Sequence, residues 1–145
     1  VKKGSVILDF CEISQEEQLR RRKLAAGARR MIRESLTVED EDEASLTASY
    51  RGYYMQVSFS PLHPLMVICL ARALTPSSRM KKWQLINRLN LTSVLGSHTI
   101  NEEVGCYSYR STHWLDTELT PERFFEILDR CVEEASRGYG TLGAA

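Results

Sequence analysis

The chain has 145 residues, 43% hydrophobic and 26% charged, which fits one globular domain around one core. Its 19 basic and 19 acidic residues cancel, which argues against bulk electrostatic binding to nucleic acid. The longest apolar run, Leu65 to Ala71, is far short of the roughly 20 residues that span a bilayer, so no transmembrane segment is expected.

Residues Ser5 to Cys11 read as a short strand or arm, in a segment 1–13 set apart from the domain. Ser14 precedes Glu16 and Glu17, an N-cap followed by first-turn acids, and predicts a helix to about Leu36. Leu24, Ala28, Met31, Ile32 and Leu36 form its apolar stripe. Arg20, Arg21, Arg22, Lys23, Arg29, Arg30 and Arg33 make the rest strongly basic, a candidate anion-binding face. No aromatic residues interleave these cations and the whole chain is neutral, so a solvated face is preferred to a nucleic-acid or acidic-lipid surface. The acidic run Glu39 to Glu43 is expected to be a solvated turn that partly neutralises it.

The period then changes to two. A two-residue turn at Arg51-Gly52 sets Tyr50 opposite Tyr53, Ala48 opposite Met55 and Leu46 opposite Val57. A turn at Pro61 to Pro64 sets Phe59 opposite Met66, Val57 opposite Ile68 and Met55 opposite Leu70. Both turns put apolar residues on one face of three strands, and a one-residue slip in either would destroy the match. The third strand is apolar on its other face too, through Leu65, Val67, Cys69 and Ala71.

Thr75 to Ser78 predicts a helix start, with Met80, Trp83, Ile86 and Leu89 inward and an end near Asn90. A hairpin of Ser97–Asn101 and Cys106–Trp114 follows, turning at Glu102 to Gly105. Pro121 opens the last helix, whose stripe is Phe124, Phe125, Leu128, Cys131 and Val132. Gly138 and Gly140 are expected to end it, leaving 141–145 as a disordered tail. The fold class is therefore α+β: helix, three-strand antiparallel meander, helix, hairpin, helix.

Chemistry is sparse. The hairpin pairs His98 with Tyr109 and sets His113 roughly 13 Å along the strand, too far to share one zinc. His63 sits in another hairpin's turn. Cys106 with His98, or Ser111 with His113, lacks a nucleophile elbow, a glycine-rich oxyanion loop and an orienting acid. No phosphate-loop motif is present. Cys11, Cys69, Cys106 and Cys131 form no Cys-x-x-Cys pair and read as thiols in a reducing cytoplasm. These readings imply no enzyme, no metal and no cofactor.

The first helix, Val38-Glu39-Asp40-Glu41-Asp42, Tyr50-Arg51-Gly52-Tyr53, Ile86-Asn87-Arg88-Leu89-Asn90, Gly96, Asn101-Glu102-Glu103-Val104-Gly105, Leu119-Thr120-Pro121-Glu122 and Ala135-Ser136-Arg137-Gly138-Tyr139 follow one another in an order that resembles the YbjN-like family. That family is described as bacterial sensory transduction regulators with a type III secretion chaperone-like fold. The resemblance covers roughly residues 14–140. It implies a non-enzymatic, often dimeric, protein-binding domain, a chaperone-like or regulatory adaptor. It carries no catalytic residue onto this chain. Tyr54, on the polar side of its strand, joins Leu65, Val67, Cys69 and Ala71 as the expected interface, and a homodimer through that face is the expected assembly.

Overall fold

A computed structural model describes residues 13–60, 63–75 and 79–143. In chain order the elements are α1 (Gln15–Ser35), β1 (Asp40–Glu41), β2 (Ser45–Tyr50), β3 (Tyr53–Phe59), β4 (Leu65–Ala73), α2 (Arg79–Thr92), β5 (Gly96–Asn101), β6 (Cys106–Trp114) and α3 (Pro121–Gly143). Among the described residues, three helices and a six-stranded antiparallel sheet, ordered β1-β2-β3-β4-β6-β5, make the expected α+β fold.

Ser14 caps α1, its Oγ accepting the Glu17 N–H at 3.1 Å. Both deduced hairpin registers occur residue for residue. Arg51 and Gly52 have φ of 48° and 85°, the paired positive values that a two-residue turn of primed type requires. The β5–β6 hairpin pairs His98 with Tyr109, also as deduced. Leu46, Met55, Val57, Ile68, Leu70, Tyr107 and Tyr109 meet Ile32, Phe124, Leu128 and Cys131 in the core, on the face that the turns selected.

Three expectations fail. The acidic run is not wholly a turn: Asp40 and Glu41 form the edge strand β1, paired with Thr47 and Leu46. Trp83 points out, 61% exposed, while Lys82 beside it is buried. Lys82 Nζ donates to the Leu142 carbonyl at 2.5 Å, a bond no stripe rule anticipates. Third, α3 runs through Gly138 and Gly140 to Gly143, so 141–143 is helix, not tail. Gly138 is needed there for closeness: a Cβ would lie 2.5 Å from His98 Nδ1. The arm at Ser5 to Cys11, the break at 76–78, the Met80 side chain and residues 144–145 lie outside the described residues.

Candidate protein-interaction surfaces

The sheet face away from the core gathers the expected interface residues. Leu65, Val67, Cys69 and Ala71 alternate along β4 and are half-buried. Tyr54 on β3 stands beside Ala71, and Trp114 on β6 stands beside Leu65. Tyr54 is 51% exposed and Trp114 72%, so aromatic rings mark both ends of the strip. Burial pushes the Cys69 thiol pKa up against the opposing pull of Arg110, which keeps the thiol protonated.

A second apolar surface was missed in the sequence. Trp83, Leu91, Val94 and Leu95 are exposed on α2 and the turn after it, Leu91 by 78% and Val94 by 86%. Trp83, Asn87 and Leu91 recur at helical spacing, a second stripe opposite the one that faces the core. The Trp83 indole N–H donates to Glu102 Oε1 at 2.5 Å, and a groove lined by Trp83, Ile86, Asn87, Asn90, Thr99 and Ile100 runs beside it. The signal was present, because Trp83 belongs to either stripe; assigning it inward hid the outer one.

The basic face of α1 is largely neutralised. Arg20 and Arg21 bond Glu17, whose pKa they hold at about 2. Arg29 and Arg33 bond Glu41 at 3.0 and 2.7 Å. Arg22, Lys23 and Arg30 make no ion pair among the described residues. The acidic run thus folds back onto the helix.

The polar clusters are structural in geometry. Glu134, 8% exposed on α3, accepts the N–H groups of Val94, Leu95 and Gly96 and the Tyr109 hydroxyl. Burial works to raise its pKa, but the Tyr109 hydroxyl and the three N–H groups outweigh it and hold the carboxyl at about 2. His98 is buried against Tyr107, whose hydroxyl lies 2.6 Å from Nδ1. Cys106, once paired with His98 as a candidate nucleophile, lies on the opposite sheet face. Ser111 and His113 do meet, at 2.8 Å, and Cys131 Sγ lies 3.1 Å from Ser111 Oγ. Burial raises the Cys131 pKa and lowers that of His113, so the cluster holds a neutral thiol and a neutral imidazole. Among the described residues, no three His, Cys, Asp or Glu side chains gather as metal ligands. No described helix is long and apolar enough to cross a membrane.

Known structures share this fold at low identity. YbjN from E. coli, described as "a putative transcription regulator", superposes with a TM-score of 0.60 at 11% identity, covering 79% of this chain and 87% of its own. A chain of the HopA1–SchA chaperone–effector complex gives 0.57 at 13%, covering 92% and 100%. A chain from the complex of the Yersinia pestis type III secretion chaperone SycH with a fragment of YscM2 gives 0.53 at 8%, covering 77% and 96%. No curated protein matches the sequence. The model of the family described as "Putative bacterial sensory transduction regulator" matches residues 28–144, and the chain belongs to this YbjN family.

Proposed function

We propose that this domain is a non-enzymatic protein-binding module of regulatory or chaperone type that acts as a homodimer in the cytoplasm. The observation that carries the reading is the pair of apolar surfaces on one small domain, the sheet strip and the α2 stripe. Contiguous exposed apolar surface is usually an interaction site. Similar folds occur in complexes titled chaperone–effector and chaperone with YscM2 fragment, which supports a protein as the partner.

The two surfaces take different partners in this proposal. The sequence points to the sheet strip as the dimer face, but that strip is half-buried and the α2 stripe is more exposed, so two copies join through α2 instead. A two-fold axis at Asn87 sets Trp83 of one copy against Leu91 of the other, because each stands one helical turn from Asn87. Zero net charge leaves no long-range repulsion against pairing. The sheet strip, from Tyr54 through Ala71, Cys69, Val67 and Leu65, receives the protein partner. Light scattering at micromolar concentration tests the assembly. Wild type should have the mass of a dimer, Leu91→Glu that of a monomer, and Val67→Glu should stay dimeric while losing partners in affinity capture. A monomeric wild type would overturn the dimer.

The alternative, a nucleic-acid or acidic-membrane binder through α1, rests on Arg22, Lys23 and Arg30 once the other four cations are paired. Such binding would weaken steeply with salt. A low-salt titration without binding removes it.

A further inference from the structure

A sheet that does not close has two edges, and an edge offers unpaired N–H and C=O groups to any extended chain. At one end of this sheet β1 is only two residues long and both are acidic. At the other end β5 runs for six residues, Gly-Ser-His-Thr-Ile-Asn, with no lysine, arginine, carboxylate or proline to repel a strand. It needs another protection.

Outward backbone groups alternate along an antiparallel edge strand. On β5 they fall at Gly96, His98 and Ile100, and at the first two side chains already hold the hydrogen bonds. The Gly96 N–H goes to Glu134, and the Gly96 carbonyl accepts from Ser93 Oγ at 2.5 Å. At His98 one side chain does both jobs. Asn90 Oδ1 accepts the His98 N–H at 2.7 Å, and Asn90 Nδ2 donates to the His98 carbonyl at 2.9 Å. A carboxamide offers the same donor and acceptor as a peptide group. Asn90 therefore occupies the place of a residue on an added strand.

We infer that Asn90 is an edge guard: its carboxamide stands in for a further strand at His98 and keeps a second copy of this chain from adding to the sheet at β5. The guard sits on an exposed part of α2, so its loss frees the two His98 backbone groups without emptying the core. The device is independent of the face-to-face dimer proposed above, in which α2 stripes meet and no strands pair.

The test uses the full chain carrying Leu91→Glu, so that α2 pairing does not contribute to the mass. Sedimentation is read across concentration, with hydrogen exchange at the β5 amides. Adding Asn90→Ala should strengthen association roughly tenfold or more, the size that two added backbone bonds give. The Ile100 amide should gain protection as copies associate. Asn90→Ser, which also cannot bridge both His98 groups, should behave alike and serves if the alanine variant misfolds. Adding Thr99→Lys, a charge on the same edge, should return association to background. Association unchanged in a folded Asn90 variant would overturn the inference. So would association that Thr99→Lys leaves intact. If Leu91→Glu alone remains dimeric, the α2 proposal fails, and the edge is still read as growth above that baseline.

Discussion

Each end of the sheet carries a bonded carboxylate, and the two differ in surroundings. At β1, Glu41 takes Arg33 and Arg29 at the surface; Arg33 chiefly lowers its pKa. At β5, Glu134 projects buried from α3 and takes three backbone N–H groups and a tyrosine hydroxyl. Exposed ion pairs are screened and lose side-chain entropy, so they add little. A buried, fully bonded carboxylate leaves several donors orphaned when it goes. Two exposed ion pairs therefore weigh far less than four buried bonds: the β5 side is the structural anchor and the β1 side a trimmed border.

Three substitutions sharpen that contrast. The largest effect is expected from Gly138→Ala. The new Cβ would meet His98 at 2.5 Å and the Tyr107 hydroxyl at 3.1 Å, inside the packing behind β5. A loss of about 3 kcal/mol in denaturant unfolding is expected, larger than the about 1 kcal/mol that alanine gains over glycine in a helix. A stabilised variant would show that α3 is not pressed against β5. Next is Glu134→Gln, expected to cost about 2 kcal/mol at neutral pH, because a neutral amide replaces a charge held by four donors. The folded pKa of Glu134 is depressed to about 2 from 4.5, so its contribution is present above about 4.5 and is lost as pH falls toward 2. The gap between wild type and variant should close across that window; a gap independent of pH would locate the effect in shape, not charge. The smallest effect is Glu41→Gln, which should leave the melting temperature nearly unchanged at physiological salt and lower it slightly at low salt. A Glu41 effect as large as that of Glu134 would erase the distinction between the edges.

The legible parts of the fold were those governed by local repetition. Alternation over Leu46 to Leu70, pinned by Arg51-Gly52, leaves one register that buries every apolar side chain, and that register is present. The neighbour of β4 was not legible: β6 pairs with it across the whole of α2 and β5, and no turn records that. Lys82 lies off the inward stripe assigned to its helix, and nothing local signals its burial because its partner is a carbonyl sixty residues away in sequence. Glu134 looked like its neighbour Glu133, yet it stands on the stripe of Leu128, Cys131 and Ala135, and a charge on an apolar stripe was the available signal. Of the candidate site, the strip from Leu65 to Ala71 was readable as a strand apolar on both sides. The α2 surface was hidden because one tryptophan fits either face of its helix.

The seam between β4 and β6 also bears on how the chain acquires its structure in time. The strands of the meander β2-β3-β4 are close in sequence, so its contacts are local and fast to form. The β4–β6 ladder runs from Ala73 with Cys106 to Leu65 with Trp114, and its loop-closure cost must be met before the contacts reward it. On a ribosome the meander emerges first, with β4 as a temporary border: nine residues, apolar on both sides, waiting for the segment that will cover it. Synthesis rate between the codons for Ala73 and Trp114 thus sets how long this strand, apolar on both sides, stands open to other nascent chains.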